Sequence, residues 1–278
     1  MRRVKVGFGL CGLAALSTWG SVQAAEPEVT HAARPDWQGS LLLQRDGWQE
    51  QDAQGRTLLR ERGPLHGLRL GWGGRVQGAD VEAQGQFLGG ERHYLGLGSQ
   101  GATLMTRSEV RDVNLRLGVQ WPLANAWYAA VAVAPRQVQR TLRSTATAQG
   151  YRETWRWTLA EAGLRWQPDR RSGWALEAAA GWGLSPSVRF TLPGMDPLTL
   201  HPGQGRSARA VALYRGALGG GGHPGWRWMA GLEATRLSFP ASAAEPLTSN
   251  GLLRGGAAQP KTTLQSFHWR LGVEADLP

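Results

Sequence analysis

The groups in this chain that could move a proton or hold a metal are scattered. His66, His93, His201, His223 and His268 lie far apart, and none has a second histidine two or four residues away, the spacing that sets two ligands on one face. No metal site and no cofactor are expected on that ground. Asp46, Asp52, Asp80 and Asp112 stand singly, no His-x-Ser pair occurs, and no histidine is closely followed by an aspartate. No catalytic residue is therefore assigned from sequence neighbours. A base recruited across space would come from His93, His201 or His268, given a serine or carboxylate within hydrogen-bond reach. Gly219 to Gly222 would cradle phosphate only at the start of a helix, and no helical pattern follows it, so it reads as a turn. Cys11 is the single cysteine and lies in the first segment, which leaves the rest of the chain without thiol or disulfide chemistry.

What remains is charge, and it is ordered. From Phe267 to Leu277 one parity reads Phe, Trp, Leu, Val, Ala, Leu, while the other carries His268, Arg270, Glu274 and Asp276. Val113, Leu115, Leu117, Val119 and Trp121 alternate in the same way with Asp112, Asn114, Arg116 and Gln120. Trp174 to Leu184 and Trp226 to Ala234 repeat the pattern. A period of two over so many segments means strands with one apolar and one wet face.

The spacing predicts ten such strands, near 37–46, 63–73, 76–88, 107–121, 126–142, 151–167, 173–191, 206–219, 225–240 and 261–277. Each is near or above the roughly 9 to 11 residues of a tilted membrane-crossing strand. Connections rich in turn formers, around Gly73–Arg75, Pro122–Ala126, Pro168–Gly173 and Gly219–Gly225, alternate with longer polar ones. That alternation predicts an all-β fold: one closed, antiparallel, up-and-down transmembrane barrel, with both termini on the short-turn side. Trp121, Trp127, Trp166, Trp174, Trp226 and Trp228 gather at the short turns, as an interfacial ring would. Phe87, Tyr94, Tyr151, Trp155 and Phe239 are expected to form its counterpart at the other end. Trp155, Trp157 and Leu159 stand on the opposite parity from Ala162, Leu164 and Trp166. Strand six should therefore contain a bulge, and strand eight another.

The first residues support the same architecture. Arg2, Arg3 and Lys5 precede an apolar stretch to Leu16, and Val22-Gln23-Ala24 offers small residues for cleavage. This is a signal-peptide pattern, too short to span a bilayer as a helix. The expected organisation is a signal peptide over 1–25, a periplasmic lead over 26–36 and a barrel over 37–278. Loss of those three cations takes the formal charge from +10 to +7, and Lys261 is then the only lysine. Nothing in the chain resembles a nucleic-acid module, and an exported barrel does not meet nucleic acid.

A ten-stranded barrel is narrow. The parity sends Arg69, Glu82, Arg116, Glu177, Arg227, Glu233, His268, Arg270 and Glu274 into its bore, where both signs should pair into a structural polar network that fills it. Near the long connections, Arg92, Arg107, Arg140, Arg143, Arg152 and Arg206 are the candidates for lipopolysaccharide phosphates, since the arginine fork matches phosphate geometry.

In pattern, nearly the whole chain after the first segment resembles Gram-negative outer-membrane barrel proteins, and its strand count is that of the omptin proteases. The segment Tyr94 to Leu117, with Gly-Ser-Gln-Gly and Thr-Arg-Ser, resembles barrels without an assigned activity. Omptins carry an aspartate pair on one rim and a His-Asp pair on the other, and the lone aspartates here do not match. The His-x-Ser of barrel phospholipases and deacylases and the rim histidine with Asp-Ser of the palmitoyltransferases are also missing. The resemblance implies a monomeric protein of the outer membrane whose partners are membrane lipid, lipopolysaccharide and, during biogenesis, the barrel-insertion machinery, for which Phe267 and Trp269 keep the outward parity. A structural, adhesive or lipid-interacting role is the expectation. A barrel hydrolase or acyltransferase and a narrow porin are the alternatives.

Overall fold

The computed structural model describes residues 36–97, 103–146, 148–169, 172–218 and 225–276. The expected signal peptide and all of the lead but Asp36, together with Gly219 to Gly222 and His223, lie outside the described residues. The strands are β1 (Asp36–Gln51), β2 (Thr57–Val76), β3 (Ala79–Leu97), β4 (Thr103–Pro122), β5 (Trp127–Leu142), β6 (Arg152–Trp166), β7 (Gly173–Thr191), β8 (Leu198–Leu200), β9 (Gly205–Ala217), β10 (Trp226–Phe239), β11 (Glu245–Ser249), β12 (Leu252–Ala257) and β13 (Lys261–Asp276).

Ten of these close a ring. β1 to β7 pair in chain order, β7 pairs with β9, β9 with β10, β10 with β13, and β13 returns to β1, every pair antiparallel. Closure satisfies the backbone of each barrel strand within the wall, which is what makes a sheet compatible with hydrocarbon. The alternation in sequence becomes an inside and an outside. On β4, Val113, Leu115, Leu117 and Trp121 are exposed on the outer surface while Asp112 and Gln120 are buried. Trp37, Trp121, Trp127, Trp174 and Trp226 are exposed near the short-turn end. No helix among the described residues is long and apolar enough to cross a membrane.

The wall is taller than the sequence predicts. β2 and β4 each run 20 residues and β3 runs 19, against 13 and 14 for β9 and β10. Residues 47–62 and 89–106 were expected as loops because apolar alternation stops there. Most of them continue the ladder, with Trp48 opposite Glu61 and Arg92 opposite Ser108. The turn expected at Gly73–Arg75 lies instead at Gln77-Gly78, where both residues have positive φ (50° and 83°) between the paired Val76 and Ala79. That is the two-residue mirror-type turn whose twist matches the flanking strands. Gly73 and Gly74 stay in the ladder opposite Glu82 and Val81, and Arg75 bonds Asp80 at 3.1 Å.

The bulge also falls elsewhere. β6 keeps one parity throughout, so Trp155 and Trp157 point inward while Leu164 points outward. The register shift lies between Arg156 and Thr158, where β7 supplies the extra residue and Ser185 takes a positive φ of 47°. Below it Trp182 and Leu184 face outward; above it Val188 is fully buried inside. β9 pairs without a register shift.

Three short strands lie outside the ring. β8 extends the sheet along β7, and β11 and β12 form a hairpin with Asn250 and Gly251 at positive φ in its turn. Asp196 holds this hairpin to the 192–204 connection. Its carboxylate accepts from Thr248 Oγ1 at 2.7 Å and from the backbone of Gly251 and Asn250 at 3.0 and 3.2 Å, and its own N–H donates to Thr248 O. The Gly251 N–H, followed by the Thr248 hydroxyl, holds the Asp196 carboxyl below its ordinary value of 3.8. A depressed carboxyl contributes above the unfolded value and stops contributing as pH falls through the folded one. The clamp should therefore be intact at neutral pH and release only in acid below that value. Asp196→Ala should release it at neutral pH, with trypsin cutting after Arg254 in β12 several-fold faster while the barrel itself stays folded. An unchanged cleavage rate would rule the clamp out.

Candidate functional site: the charged lumen and its apolar roof

Inward-facing side chains of all ten wall strands meet in the bore, where they sort by height. At the short-turn end, Glu274 on β13 accepts from Arg215 on β9 at 2.9 Å and from Arg227 on β10 at 2.8 Å. Arg227 also reaches Asp276 at 2.5 Å. Glu274 and Arg215 border a cavity of about 120 Å³ with Asp36, Gln120 and Arg165 on its other walls.

In the middle, two rows of charge cross the barrel. Arg69 donates to Gln86 on the next strand and to Glu233 across the bore at 2.9 Å. Arg116 reaches Glu82 at 3.4 Å and Glu177 at 3.5 Å, and bonds Glu161. Arg209 bonds the same two acids, Glu161 at 3.3 Å and Glu177. Two guanidiniums and two carboxylates thus share four contacts, the multiply bonded arrangement that tolerates removal from water. Arg270 lines a neighbouring cavity of about 50 Å³ and has no carboxylate within 4 Å among the described residues. His268 is buried, with Nε2 at 3.1 Å from Ser266 Oγ. Its Nδ1 has no hydrogen-bond partner among the described residues. The pair therefore lacks the third group that orients a catalytic imidazole. His93 and His201 are exposed, with no hydrogen-bonded serine or carboxylate among the described residues.

The part nearest the long connections differs from expectation. Arg140 on β5 is fully buried and contacts three carboxylates, Glu50 at 3.2 Å, Glu61 at 3.1 Å and Glu153 at 2.5 Å. Arg92 bonds Asp46 and reaches Glu61 at 3.4 Å. Both guanidiniums lie against the Trp48 ring, 4.8 Å from its centroid for Arg140 and 5.6 Å for Arg92. Arg92 and Arg140 are therefore withdrawn from the lipopolysaccharide candidates, because interior carboxylates and an indole enclose them. Arg107 and Arg143 are exposed and share Glu91, and Arg152 and Arg206 are exposed.

Apolar side chains close the bore at the level of this upper cluster, above the charges of the middle. Trp155 packs edge-on against Trp48 at 5.1 Å and lies tilted against Phe239 at 5.7 Å, and Phe239 meets Trp157 edge-on at 5.4 Å. Leu59, Leu65, Leu88, Val110, Val138, Val188 and Leu237 complete one buried cluster. Tyr94, Trp155 and Phe239, expected on the outer rim, are buried within it. Only the parity of Trp155 and Trp157, carried unbroken from Arg165, marks them as inward. Phe87 is exposed on the outer surface, opposite Val113.

The chain matches no protein-family model and no curated protein sequence. Among solved structures it is similar to the outer membrane protease OmpT from Escherichia coli, with a TM-score of 0.53 and 12% identity over 91% of this chain and 99% of that one. It also aligns with the translocator domain of the autotransporter NalP from Neisseria meningitidis (TM-score 0.46, 10% identity, 87% and 88% covered) and with the toluene transporter TodX of Pseudomonas putida (0.37, 8%, 88% and 90%). The closed ten-stranded wall, greasy outside and charged within, is the fold of an outer-membrane β-barrel.

Proposed function

We propose that this chain is an integral outer-membrane barrel of structural or lipid-interacting type, with its long connections outside the cell, its short turns in the periplasm, and a bore that does not conduct. The observation that carries this reading is the filling of the bore. Paired charges occupy its lower and middle parts, an aromatic cluster roofs them, and the lumen cavities of about 50 and 60 Å³ hold no more than a few waters each. Exposed Arg107, Arg143, Arg152 and Arg206 stand where lipopolysaccharide phosphates would meet the outer end. The closed ring leaves no strand edge to pair with a second copy, in keeping with a monomer. A hydrolase reading would rest on Ser266 and His268, but the pair lies below the roof and its imidazole is not oriented by an acid.

Two measurements test the proposal. The membrane-extracted protein should migrate differently on gels before and after boiling. Trypsin added to intact cells should cut at Arg143 or Arg254 and spare the turn that the sequence places at Pro168–Gly173. Cleavage at that turn alone would reverse the orientation, and migration indifferent to boiling would remove the membrane barrel.

A further inference from the structure

The outer wall carries a groove that the lumen does not explain. It lies across β1, β2, β9, β10 and β13 and has a volume of about 660 Å³. Ala208, Ala210, Ala234 and Phe267 give it an apolar floor, and Arg45, Arg62 and Arg236 border it. The strand ladder places these residues together. Arg62 pairs with Gly47, Gly47 with Gln265, Gln265 with Arg236 and Arg236 with Ala208, one continuous row across five strands. Arg45 sits in the adjoining outward row, opposite Phe267. Small residues leave the space: Gly47 has no side chain, and three alanines replace the larger groups found elsewhere on the wall.

The height of this groove is fixed strand by strand. On β1 the outward series Leu41, Leu43 gives way to Arg45. On β13 Leu271, Trp269 and Phe267 give way to Gln265, and on β10 Leu232 and Ala234 give way to Arg236. Its lower half therefore lies at the edge of the apolar belt and its upper half in the polar zone above. The three arginines also differ from those inside. None has a carboxylate within 4 Å among the described residues, whereas Arg107 and Arg111 on the outer face of β4 each have one. Unopposed guanidiniums above a greasy trough complement a molecule with phosphate at one end and acyl chains at the other.

We infer that this groove binds lipid A, the phosphorylated glycolipid of the outer leaflet, with a phosphate between Arg45, Arg62 and Arg236 and an acyl chain along Ala208, Ala210 and Ala234. The assignment rests on the orientation proposed above, which sets this end of the wall in the outer leaflet. It places the main lipid contact on the barrel side instead of on the loops.

The test uses the full-length protein in detergent, delipidated and then titrated with bis-phosphorylated lipid A, with retained adducts read by native mass spectrometry. The wild type should hold one lipid A and prefer it to phosphatidylglycerol and to dephosphorylated lipid A. Arg45→Gln, Arg62→Gln and Arg236→Gln together should weaken binding by at least about tenfold, the scale of losing charge-assisted hydrogen bonds. Gly47→Trp should do likewise by filling the trough, because a Cβ there would come no nearer than 3.6 Å to any other group and the backbone need not move. Arg56→Gln, whose partner is Asp52 at a loop tip, should change nothing. Each variant must keep its boiling-dependent migration, which separates loss of the site from loss of the fold. Wild-type affinity in the triple variant, or equal binding of phosphatidylglycerol, would overturn the assignment. If the wild type lacks boiling-dependent migration the barrel proposal fails; if it shows that migration and retains no lipid A, only the groove assignment fails.

Discussion

Replacing Arg140 with methionine is expected to destabilise the barrel by about 3–5 kcal/mol, the usual cost of removing one partner from a buried ion pair. The argument is one of uncompensated charge. Methionine fills much of the same volume, yet Glu50, Glu61 and Glu153 would be left around an apolar side chain, two of them with no other guanidinium in contact. Arg92 could neutralise Glu61 alone, and it is already engaged with Asp46. Urea unfolding of the protein in lipid vesicles measures the loss. Adding Glu50→Gln and Glu153→Gln to the methionine variant should recover part of it, because Glu61, which Arg92 still contacts, is then the only one of the three carboxylates left beside the methionine. A loss below about 1 kcal/mol, the ordinary value of an exposed pair, would mean that water reaches the cluster.

Trp155→Ala is expected to cost a similar amount, about 3–5 kcal/mol, as large-to-small changes of buried aromatics do. The ring is fully buried and touches both Trp48 and Phe239, so its removal leaves a void that rigid neighbouring strands cannot close. The functional readout is electrical. Wild-type protein in planar bilayers should give no current steps, while Trp155→Ala combined with Phe239→Ala should give small, cation-favouring steps, because the exposed upper charges would then include the Glu50 and Glu153 carboxylates. Steps in the wild type would show that the paired charges below the roof already form a water path, and the porin alternative would replace the closed one.

The sequence was most legible where one face was apolar and the other charged. Val113 to Trp121, Trp174 to Leu184 and Trp226 to Ala234 revealed strand, face and barrel together, because only a membrane wall needs that contrast over so many strands. It failed where the contrast vanishes. Beyond Arg45 and Arg62 the outer face turns polar while the inner face gains Trp48 and Leu59, so the alternation reverses its sense and the ladder reads as loop. Trp155 and Phe239 are chemically identical to rim aromatics, and parity counted from below was the only sign that they point inward. Arg92 and Arg140 could not be told from exposed arginines, since Asp46 lies 46 residues from Arg92 and Glu61 lies 79 from Arg140. The β11–β12 hairpin did leave a readable sign in Asn250-Gly251, the favoured turn dipeptide, inside a stretch read as plain loop.

The uneven height of the wall changes what depth means around its circumference. On the side built from β2, β3 and β4 the strands rise like a parapet, so that Arg107 is exposed beside Glu91 although it is part of a ladder. On the side of β9 and β10 the strands run only 13 and 14 residues, and Arg236, three residues from the end of β10, borders the outer groove. An arginine's distance from its nearest loop therefore says little about its solvent; the side of the cylinder it occupies says more.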